Sequence, residues 1–329
     1  MSKEYAVKFI AKEQAELVPL EVDRSPLQPE EVFARTLVSL VSSGTEITGC
    51  YSAAHYQITS AAYPMSTGYA SVSQVEEIGS AVTGLAKGDL ILGGCHQSFQ
   101  RLRAGGVAKV PAGLAPELAV FGRMLKIPLP AFVRSGIRPP EILVVTGLGL
   151  VGMLAAQLGQ SFGYQVLASD PNEKRRKIAQ CHGIGQVVAS LPVNDPLYAK
   201  KVGFGLDCSG HEQAVLDLCN LVRVWGEVAM VGVPWTPKTS LLAQQILHAV
   251  FYNYVNLKSG WEGSMPPAPD IHSDPSHHLT ALRWLAEGRV RIEPCLYRQV
   301  SPRQPQEQYQ DILHNRLDEL TVMFDWRQL

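Results

Sequence analysis

The sequence of 329 residues has no long apolar run, no closely spaced cysteines and almost no net charge. No uninterrupted apolar stretch approaches the ~18 residues of a membrane span, and the start Met-Ser-Lys-Glu-Tyr has no apolar signal core. The six cysteines are scattered, which excludes a disulfide framework and a zinc knuckle. A formal net charge of -1 offers no long-range attraction to nucleic acid or an acidic membrane. We therefore expect a cytoplasmic protein whose partners are small molecules, with no nucleic acid and no membrane.

What the chain does contain is a glycine motif directly after a short apolar, β-branched run. Glycines stand at Gly147, Gly149 and Gly152, and apolar residues at helical spacing follow. Strand, tight turn and helix in this order are typical of the first turn of a dinucleotide-binding unit. Gly147 would permit the turn, Gly149 would let the backbone approach a pyrophosphate, and Gly152 would let the helix pack closely. The pyrophosphate would bind at the helix N-terminus, where we include Leu150 and Val151 among the cofactor-binding residues.

An acidic residue follows at the spacing that such a unit requires. Asp170 ends the next apolar run, eighteen residues beyond Gly152, close to where a carboxylate accepts the adenosine ribose hydroxyls. This carboxylate favours NAD(H) over NADP(H), because a 2′-phosphate would meet a like charge. Lys174, Arg175 and Arg176 follow and could still pair with a phosphate, so NADP(H) stays open. The alternative is a glycine-rich turn that binds no nucleotide.

The pattern along the chain predicts two domains. Residues 1–122 show short strand-like runs broken by proline and glycine, which indicates a β-rich domain. Between 123 and 276 strand and helix alternate, which indicates a doubly wound parallel sheet. Residues 277–329 add a helix and a short strand. The fold class we predict is therefore α/β, a β-rich domain beside a Rossmann domain.

Small residues follow two further strands of the predicted parallel sheet. Ser209 and Gly210 end one strand, and Gly232 and Val233 end the next. Ligands of such sheets bind in the crevice at the carboxyl ends of the strands, so we predict that these four residues contact the cofactor. Ordinary strand-to-helix turn chemistry explains them equally well.

The order of these segments resembles the medium-chain dehydrogenase/reductase superfamily over nearly the whole chain. The resemblance implies a GroES-like catalytic domain over 1–122, completed by 277–329, and a Rossmann NAD(P)-binding domain over 123–276. In its zinc alcohol dehydrogenases, a Cys-Gly-x-Asp-x-x-His turn and a Gly-His-Glu turn supply metal ligands. Here the first turn reads Ser-Gly-Thr-Glu-Ile-Thr from Ser43, and the second reads Gly-Tyr-Ala around Tyr69. Because hydroxyls are poor zinc ligands, the resemblance points to a zinc-independent branch, with no metal.

The same resemblance implies which residues act on a substrate. Thr45 matches the hydroxyl relay position, Tyr69 would donate to a carbonyl, and Glu46 would orient groups or accept a proton beside Ser43. Lys126 is the cation that could stand near the tyrosine. The alternatives are structural, since Thr45 and Glu46 would cap a helix beginning near residue 47, and Tyr69 would be a packed aromatic.

Three residues after the first turn, Tyr51, His55 and Tyr56, are predicted to line the substrate cleft, although a surface histidine in a loop is the commoner case. The sequence therefore predicts an NAD(P)-dependent dehydrogenase that interconverts an alcohol and a carbonyl. The Ser-Gly-Thr-Glu turn is also similar to bacteriochlorophyllide dehydrogenases, which act on a tetrapyrrole. The alternatives are an enoyl reductase and a catalytically silent nucleotide-binding protein. Family analogy further suggests a homodimer through an edge strand near residues 254–261.

Overall fold

The computed structural model describes residues 3–53, 62–263 and 273–329. The chain divides into two compact units, which we describe separately. Unit 1 comprises Met1–Met124, Ser273–Gly288 and Ile292–Leu329, and unit 2 comprises Leu125–His272 and Arg289–Arg291. The predicted boundaries at 122 and 276 thus differ by two and four residues from the observed divisions.

Sixteen strands and nine α-helices are formed within the described residues. The strands are β1 (Tyr5–Ala11), β2 (Gln14–Pro19), β3 (Glu31–Leu40), β4 (Met65–Ser66), β5 (Ser71–Ile78), β6 (Leu90–Leu92), β7 (Phe99–Arg103), β8 (Ala108–Lys109), β9 (Ile142–Thr146), β10 (Gln165–Ser169), β11 (Gln186–Val188), β12 (Val202–Asp207), β13 (Val222–Met230), β14 (Asn256–Ser259), β15 (Tyr297–Val300) and β16 (Thr321–Asp325). The helices are α1 (Pro116–Ala119), α2 (Gly122–Leu125), α3 (Leu129–Val133), α4 (Leu150–Ser161), α5 (Glu173–Cys181), α6 (Glu212–Leu221), α7 (Ala243–Tyr252), α8 (Asp274–Ala286) and α9 (Pro305–Leu313). None of these helices has the length and apolarity that a bilayer crossing requires.

Unit 1 is built on two sheets. Seven strands form one sheet in the order β15-β16-β3-β5-β6-β8, with β7 paired to β3, and β2-β1-β4 form a second. The central strand β3 pairs antiparallel with β5, β7 and β16, so the C-terminal segment is joined to the N-terminal one by backbone hydrogen bonds. An aromatic and aliphatic core that includes Phe9, Tyr51, Tyr309 and Phe324 lies beneath these strands. The chain ends therefore complete the β-rich unit, as the sequence predicted.

Unit 2 contains one six-stranded sheet in the order β11-β10-β9-β12-β13-β14, in which every neighbouring pair is parallel. Its central strands read as continuous apolar runs because helices cover both faces of such sheets. Leu143, Val144 and Val145 of β9 are completely buried. Strand order reverses between β9 and β12, which is the point where doubly wound sheets open a crevice. The predicted α/β fold class is confirmed.

Candidate active site

The glycine turn of unit 2 lies between β9 and α4. Gly147 has φ +80°, and a Cβ there would lie 2.8 Å from the backbone of Ser209 at the end of β12. A Cβ on Gly152 would lie 1.8 Å from the carbonyl oxygen of Gly147. Both glycines are therefore required by packing inside the turn. Gly152 packs against the turn itself and the Cβ of Cys208, rather than only against the sheet.

Gly149 differs from its two neighbours in the motif. A Cβ placed on it would meet nothing within 4 Å, so the backbone there faces open space. Gly149 is also the N-cap of α4 and makes no side-chain cap. In α5 and α6, by contrast, the side chains of Asn172 and His211 accept from the first-turn amides. The N-terminus of α4 thus has free space and no side-chain cap, which suits a bound anion.

Asp170 lies directly after β10 and is 2% exposed. Its Oδ2 accepts from the amide of Leu148 at 2.7 Å, and its Oδ1 accepts from the amide of Asn172 at 2.8 Å. Arg175 Nη1 lies 3.5 Å from the same carboxylate. In the structure, the Asp170 carboxylate therefore connects the glycine turn to the end of β10 through hydrogen bonds to backbone amides. A ribose contact stays a prediction.

The residues after β12 and β13 pack against each other. A Cβ on Gly210, which has φ +59°, would lie 2.5 Å from Val233 O, and one on Gly232 would lie 2.3 Å from Gly210 N. The buried Asp207 accepts from the Ser209 hydroxyl at 2.5 Å and the Gly210 amide at 3.0 Å. Turn chemistry thus accounts for both glycines. The Leu150 side chain is likewise buried, which leaves its backbone for any ligand.

In unit 1, the first predicted turn continues into a π-helix, Thr45–Tyr51. Its N-cap is Gly44 and has no side-chain hydrogen bond, so Thr45 does not cap this helix. Instead, the Glu46 carboxylate accepts from the Ser42 amide at 2.7 Å. Ser43 and Thr45 are half-buried.

Tyr69 approaches this turn through its hydroxyl. The hydroxyl donates to Ser42 Oγ at 2.5 Å, and the Arg123 guanidinium lies 4.5 Å from the ring centroid. Burial raises the pKa of Tyr69, and the charge of Glu46 adds to the rise, whereas the Ser42 hydrogen bond and Arg123 lower it. The tyrosine therefore stays protonated near neutral pH and is a hydrogen-bond donor. Ser42 was not among the predicted site residues, and the proposed donation from Tyr69 to a substrate carbonyl stays a prediction.

Two further side chains, which sequence reasoning missed, converge on Glu46. His96 Nε2 lies 3.1 Å from Glu46 Oε2, and the Tyr309 hydroxyl donates to the same oxygen at 2.9 Å. The His96 side chain is completely buried and that of Glu46 is 4% exposed. His96 stands near Cys95 in an unremarkable loop and Tyr309 lies in α9, so no local pattern could have revealed them.

One prediction about a substrate contact is wrong, and a second stays a prediction. The Tyr51 ring is fully buried and packs on Phe9 and Tyr309. Its hydroxyl bonds the Glu13 carbonyl and Gln306, so it does not face a cleft. Lys126 belongs to unit 2, where it is 3% exposed and pairs with Glu262 at 3.0 Å. Within unit 1, the Arg123 guanidinium lies over the Tyr69 ring, and a role for Lys126 beside Tyr69 stays a prediction.

The predicted cleft residues His55 and Tyr56 lie outside the described residues.

The donors around Tyr69 fit a zinc ion poorly. Ser43 and Tyr69 offer hydroxyls, and both nitrogens of His96 are engaged, by Ser39 Oγ at 2.7 Å and by Glu46. Across residues 3–53, 62–263 and 273–329, no three His, Cys, Asp or Glu side chains are grouped as a metal site. These side chains therefore do not form a zinc site around Tyr69.

Comparison with known proteins finds a family match for part of unit 2. Residues 151–266 match the family described as zinc-binding dehydrogenase. That part of the chain, about a third of its length, is similar to this family. The match covers the helix after the glycine turn and the rest of the sheet, whereas the residues around Tyr69 lie outside it.

One sequence relative is an L-threonine 3-dehydrogenase of Pseudoalteromonas atlantica (strain T6c / ATCC BAA-1087), 29% identical over 213 residues. The alignment spans 52% of this chain and 61% of that relative, so the chain matches about three fifths of the relative's length.

Solved structures show the same fold over the whole length. Galactitol-1-phosphate dehydrogenase from Escherichia coli aligns with TM-score 0.82 at 18% identity and covers 98% of this chain and 99% of its own. Acetophenone reductase from Geotrichum candidum NBRC 4597, in complex with NAD, aligns with TM-score 0.80 at 16% identity, covering 100% and 99%. This chain therefore has a GroES-like unit and a Rossmann unit.

Proposed function

We propose that this protein is an NAD(P)-dependent oxidoreductase that interconverts an alcohol and a carbonyl on a medium-sized organic substrate. The observation that carries the proposal is the N-terminus of α4, which is uncapped by side chains and opens to free space at Gly149. An anionic pyrophosphate suits this position. The relatives matched above are dehydrogenases and reductases by name, which supports the same reaction class.

The residues of each unit would have separate tasks. A bound nicotinamide would supply or accept the hydride. The α4 amides would hold its pyrophosphate, and Asp170 and Arg175 would lie near the adenosine ribose. With substrate bound, the Ser42 hydroxyl would turn to donate to the Tyr69 oxygen, and Tyr69 would donate its own proton in a hydrogen bond to the substrate oxygen. That bond stabilises the negative charge that develops as hydride reaches a carbonyl carbon. Thr45 and Ser42 are the neighbouring hydroxyls that could pass on the proton.

We infer that the reaction proceeds without zinc. The support is chemical, because the hydroxyls of Ser43 and Tyr69 occupy the positions of metal ligands in the zinc enzymes, and His96 is engaged on both sides. Asp170 favours NAD(H), although Arg175 at 3.5 Å weakens the repulsion of a 2′-phosphate.

The first experiment is a fluorescence titration of the purified protein with NADH and with NADPH, with zinc quantified in the same sample. We expect saturable binding, tighter for NADH, and less than one zinc per ten chains. Tighter NADPH binding would move the adenosine contact to the basic run 174–176. One zinc per chain would overturn the metal-free mechanism, and no binding of either nucleotide would overturn the proposed function.

Two other functions remain as outcomes of a turnover assay. Reduction of activated alkenes with no turnover of ketones or alcohols would make the protein an enoyl reductase, since the same tyrosine hydroxyl could stabilise an enolate oxygen. Tight NADH binding with no turnover on either panel would make it a silent nucleotide-binding protein. The tetrapyrrole resemblance adds hydroxyethyl tetrapyrroles to the alcohol panel.

We also propose a homodimer that forms along β14. This strand ends the parallel sheet, and large apolar side chains are exposed nearby, including Trp225 (63%) and Tyr254 (57%), whose rings lie 5.6 Å apart. An open edge beside apolar surface favours pairing with a second copy.

Light scattering should give twice the chain mass, and Trp225→Glu should give the single mass. Leu197→Glu is the matched control, because Leu197 is similarly exposed (69%) but lies near the opposite edge of the sheet. Its neighbour Tyr198 bonds Gln186 of that edge strand, β11. A wild-type monomer would refute the dimer.

A further inference from the structure

A continuous series of buried polar contacts lies behind the Tyr69 site. Trp326 Nε1 donates to Ser39 Oγ at 2.8 Å, and Ser39 Oγ lies 2.7 Å from His96 Nδ1. His96 Nε2 then meets Glu46, which also accepts from Tyr309. These groups have no role in the mechanism above, although burying them requires satisfied hydrogen bonds throughout.

The directions of these hydrogen bonds follow from the donors. Indole N–H can only donate, so Ser39 Oγ accepts from Trp326 and has its own proton to donate to His96 Nδ1. A carboxylate oxygen can only accept, so His96 Nε2 is the donor in its bond to Glu46. Burial first, and the charge of Glu46 second, raise the pKa of Tyr309 well above its ordinary range, so its hydroxyl also donates. With the Ser42 amide, three donors converge on the Glu46 carboxylate.

We propose that His96 and Tyr309 are positioning residues of the candidate active site. They hold the Glu46 carboxylate against the Ser42 amide, and Ser42 in turn holds the hydroxyl of Tyr69. The inference deepens the proposed function and rests on it, since it concerns the same hydroxyl. It assigns a task to α9 and to the C-terminal Trp326, which reach the site from more than 200 residues away along the chain.

If Tyr309 had a purely structural role, removing its hydroxyl should have the same effect as removing that of its neighbour Tyr51. Both rings are fully buried, they stack at 5.3 Å with an interplanar angle of 29°, and both pack on Phe9. Their hydroxyls differ. Tyr309 donates to Glu46, whereas Tyr51 donates to the Glu13 carbonyl. Removing either hydroxyl leaves the aromatic packing, so the two variants separate positioning from packing.

The charge of Glu46 also affects the pKa of Tyr69. Burial raises the pKa of Tyr69 most, the charge of Glu46 raises it further, and Arg123 lowers it. The groups that face the Tyr69 hydroxyl are Ser42, Thr45, Glu46 and Arg123. A change in how Glu46 is held should therefore appear as a change in the titration of Tyr69.

The experiment uses the full chain labelled with 3-fluorotyrosine and follows the ¹⁹F signal of the residue at 69 against pH. Tyr69→Phe assigns that signal. Glu46→Gln is expected to lower the pKa read from it by about one unit, because a raising charge is removed. Tyr309→Phe and His96→Leu should move the signal in the same direction. His96→Gln, which keeps an N–H donor, should restore it, and Tyr51→Phe should leave it unchanged.

Equal responses of Tyr309→Phe and Tyr51→Phe, whether both shift or neither does, would overturn the inference and reduce the series to core packing. The measurement needs neither cofactor nor substrate, so its failure is distinguishable from failure of NADH binding, which would sink the proposed function instead. If His96→Leu does not fold, Tyr309→Phe and His96→Gln still decide the outcome, because each changes one polar group and keeps the volume close to the original.

Discussion

The glycine turn of unit 2 and the polar cluster of unit 1 (Ser39, Ser42, Glu46, Tyr69, His96, Tyr309 and Trp326) are built in opposite ways. The turn occupies six consecutive residues from Gly147 to Gly152 and works through its backbone. The cluster works through side chains, and its members Ser39 and Trp326 are 287 residues apart. In the turn, Gly147 and Gly152 tolerate no Cβ, whereas the side-chain cluster can be altered one hydrogen bond at a time.

This difference separates two kinds of sensitivity to mutation. In the turn, Gly152 is required for packing and Gly149 for the proposed binding of the cofactor. A variant at Gly152 should therefore destabilise the fold, whereas one at Gly149 should affect only the ligand site. In the cluster, each residue contributes to the position of the next, so the effects should be graded and coupled. The following variants test whether the turn and the cluster differ in this way.

The largest effect is expected for Gly152→Ala, because its Cβ would lie 1.8 Å from a backbone oxygen that cannot move freely. We expect a loss of about 3 kcal/mol in the free energy of unfolding, as for severe overpacking. Urea denaturation measures it. Gly149→Ala is the matched control, since its Cβ meets nothing within 4 Å, and equal losses in both variants would contradict the packing argument.

Gly149→Val should leave the fold intact and weaken NADH binding at least about 100-fold, equivalent to ~2.7 kcal/mol. The added methyl groups would occupy the open space where the pyrophosphate approaches. Titration by fluorescence gives the affinity, and the melting temperature gives the fold. Gly185→Val, at another open glycine of unit 2, should change neither quantity. Unchanged NADH affinity in Gly149→Val would defeat the nucleotide assignment.

Tyr69→Phe should lower kcat about 100-fold on the alcohol or ketone that the substrate panel identifies, which is the usual effect of deleting one donor to a developing oxyanion. KM should change little, because the donor acts mainly in the transition state. Tyr63→Phe is the control in the same unit, since that hydroxyl donates to the Cys50 carbonyl. A rate within twofold of wild type would remove Tyr69 from the mechanism.

The smallest effect is a pH dependence. Tyr309 has its pKa raised in the folded state, mainly by burial, from an ordinary value of 10.0. Its contribution to stability is therefore complete below pH 10 and is lost as the pH rises above 10, at up to about 1.4 kcal/mol per pH unit. Urea unfolding at pH 9 and pH 11 should show a smaller loss in Tyr309→Phe than in wild type. Parallel losses would show that Tyr309 does not resist ionisation.

The errors in the sequence predictions fall mainly in unit 1. Spacing and resemblance pointed to Thr45, Glu46 and Tyr69, and the structure adds Ser42, whose hydroxyl accepts from Tyr69. They placed Tyr51 in a cleft, although it packs in an aromatic core, and they gave no indication of Arg123, which lies over the Tyr69 ring. A pattern along the chain does not say which way a side chain points within an irregular turn.

By itself the sequence determined the parallel sheet, the glycine turn and the division into two units. These depend on hydrophobic periodicity and on backbone conformations that few residues other than glycine adopt, and both are local properties. Only the tertiary structure decided that Asp170 holds the turn, and that His96, Tyr309 and Trp326 stand behind Glu46 and Tyr69. Hydrogen bonds between distant side chains depend on how β3, α9 and the C-terminal strand pack together, and no local pattern encodes that packing.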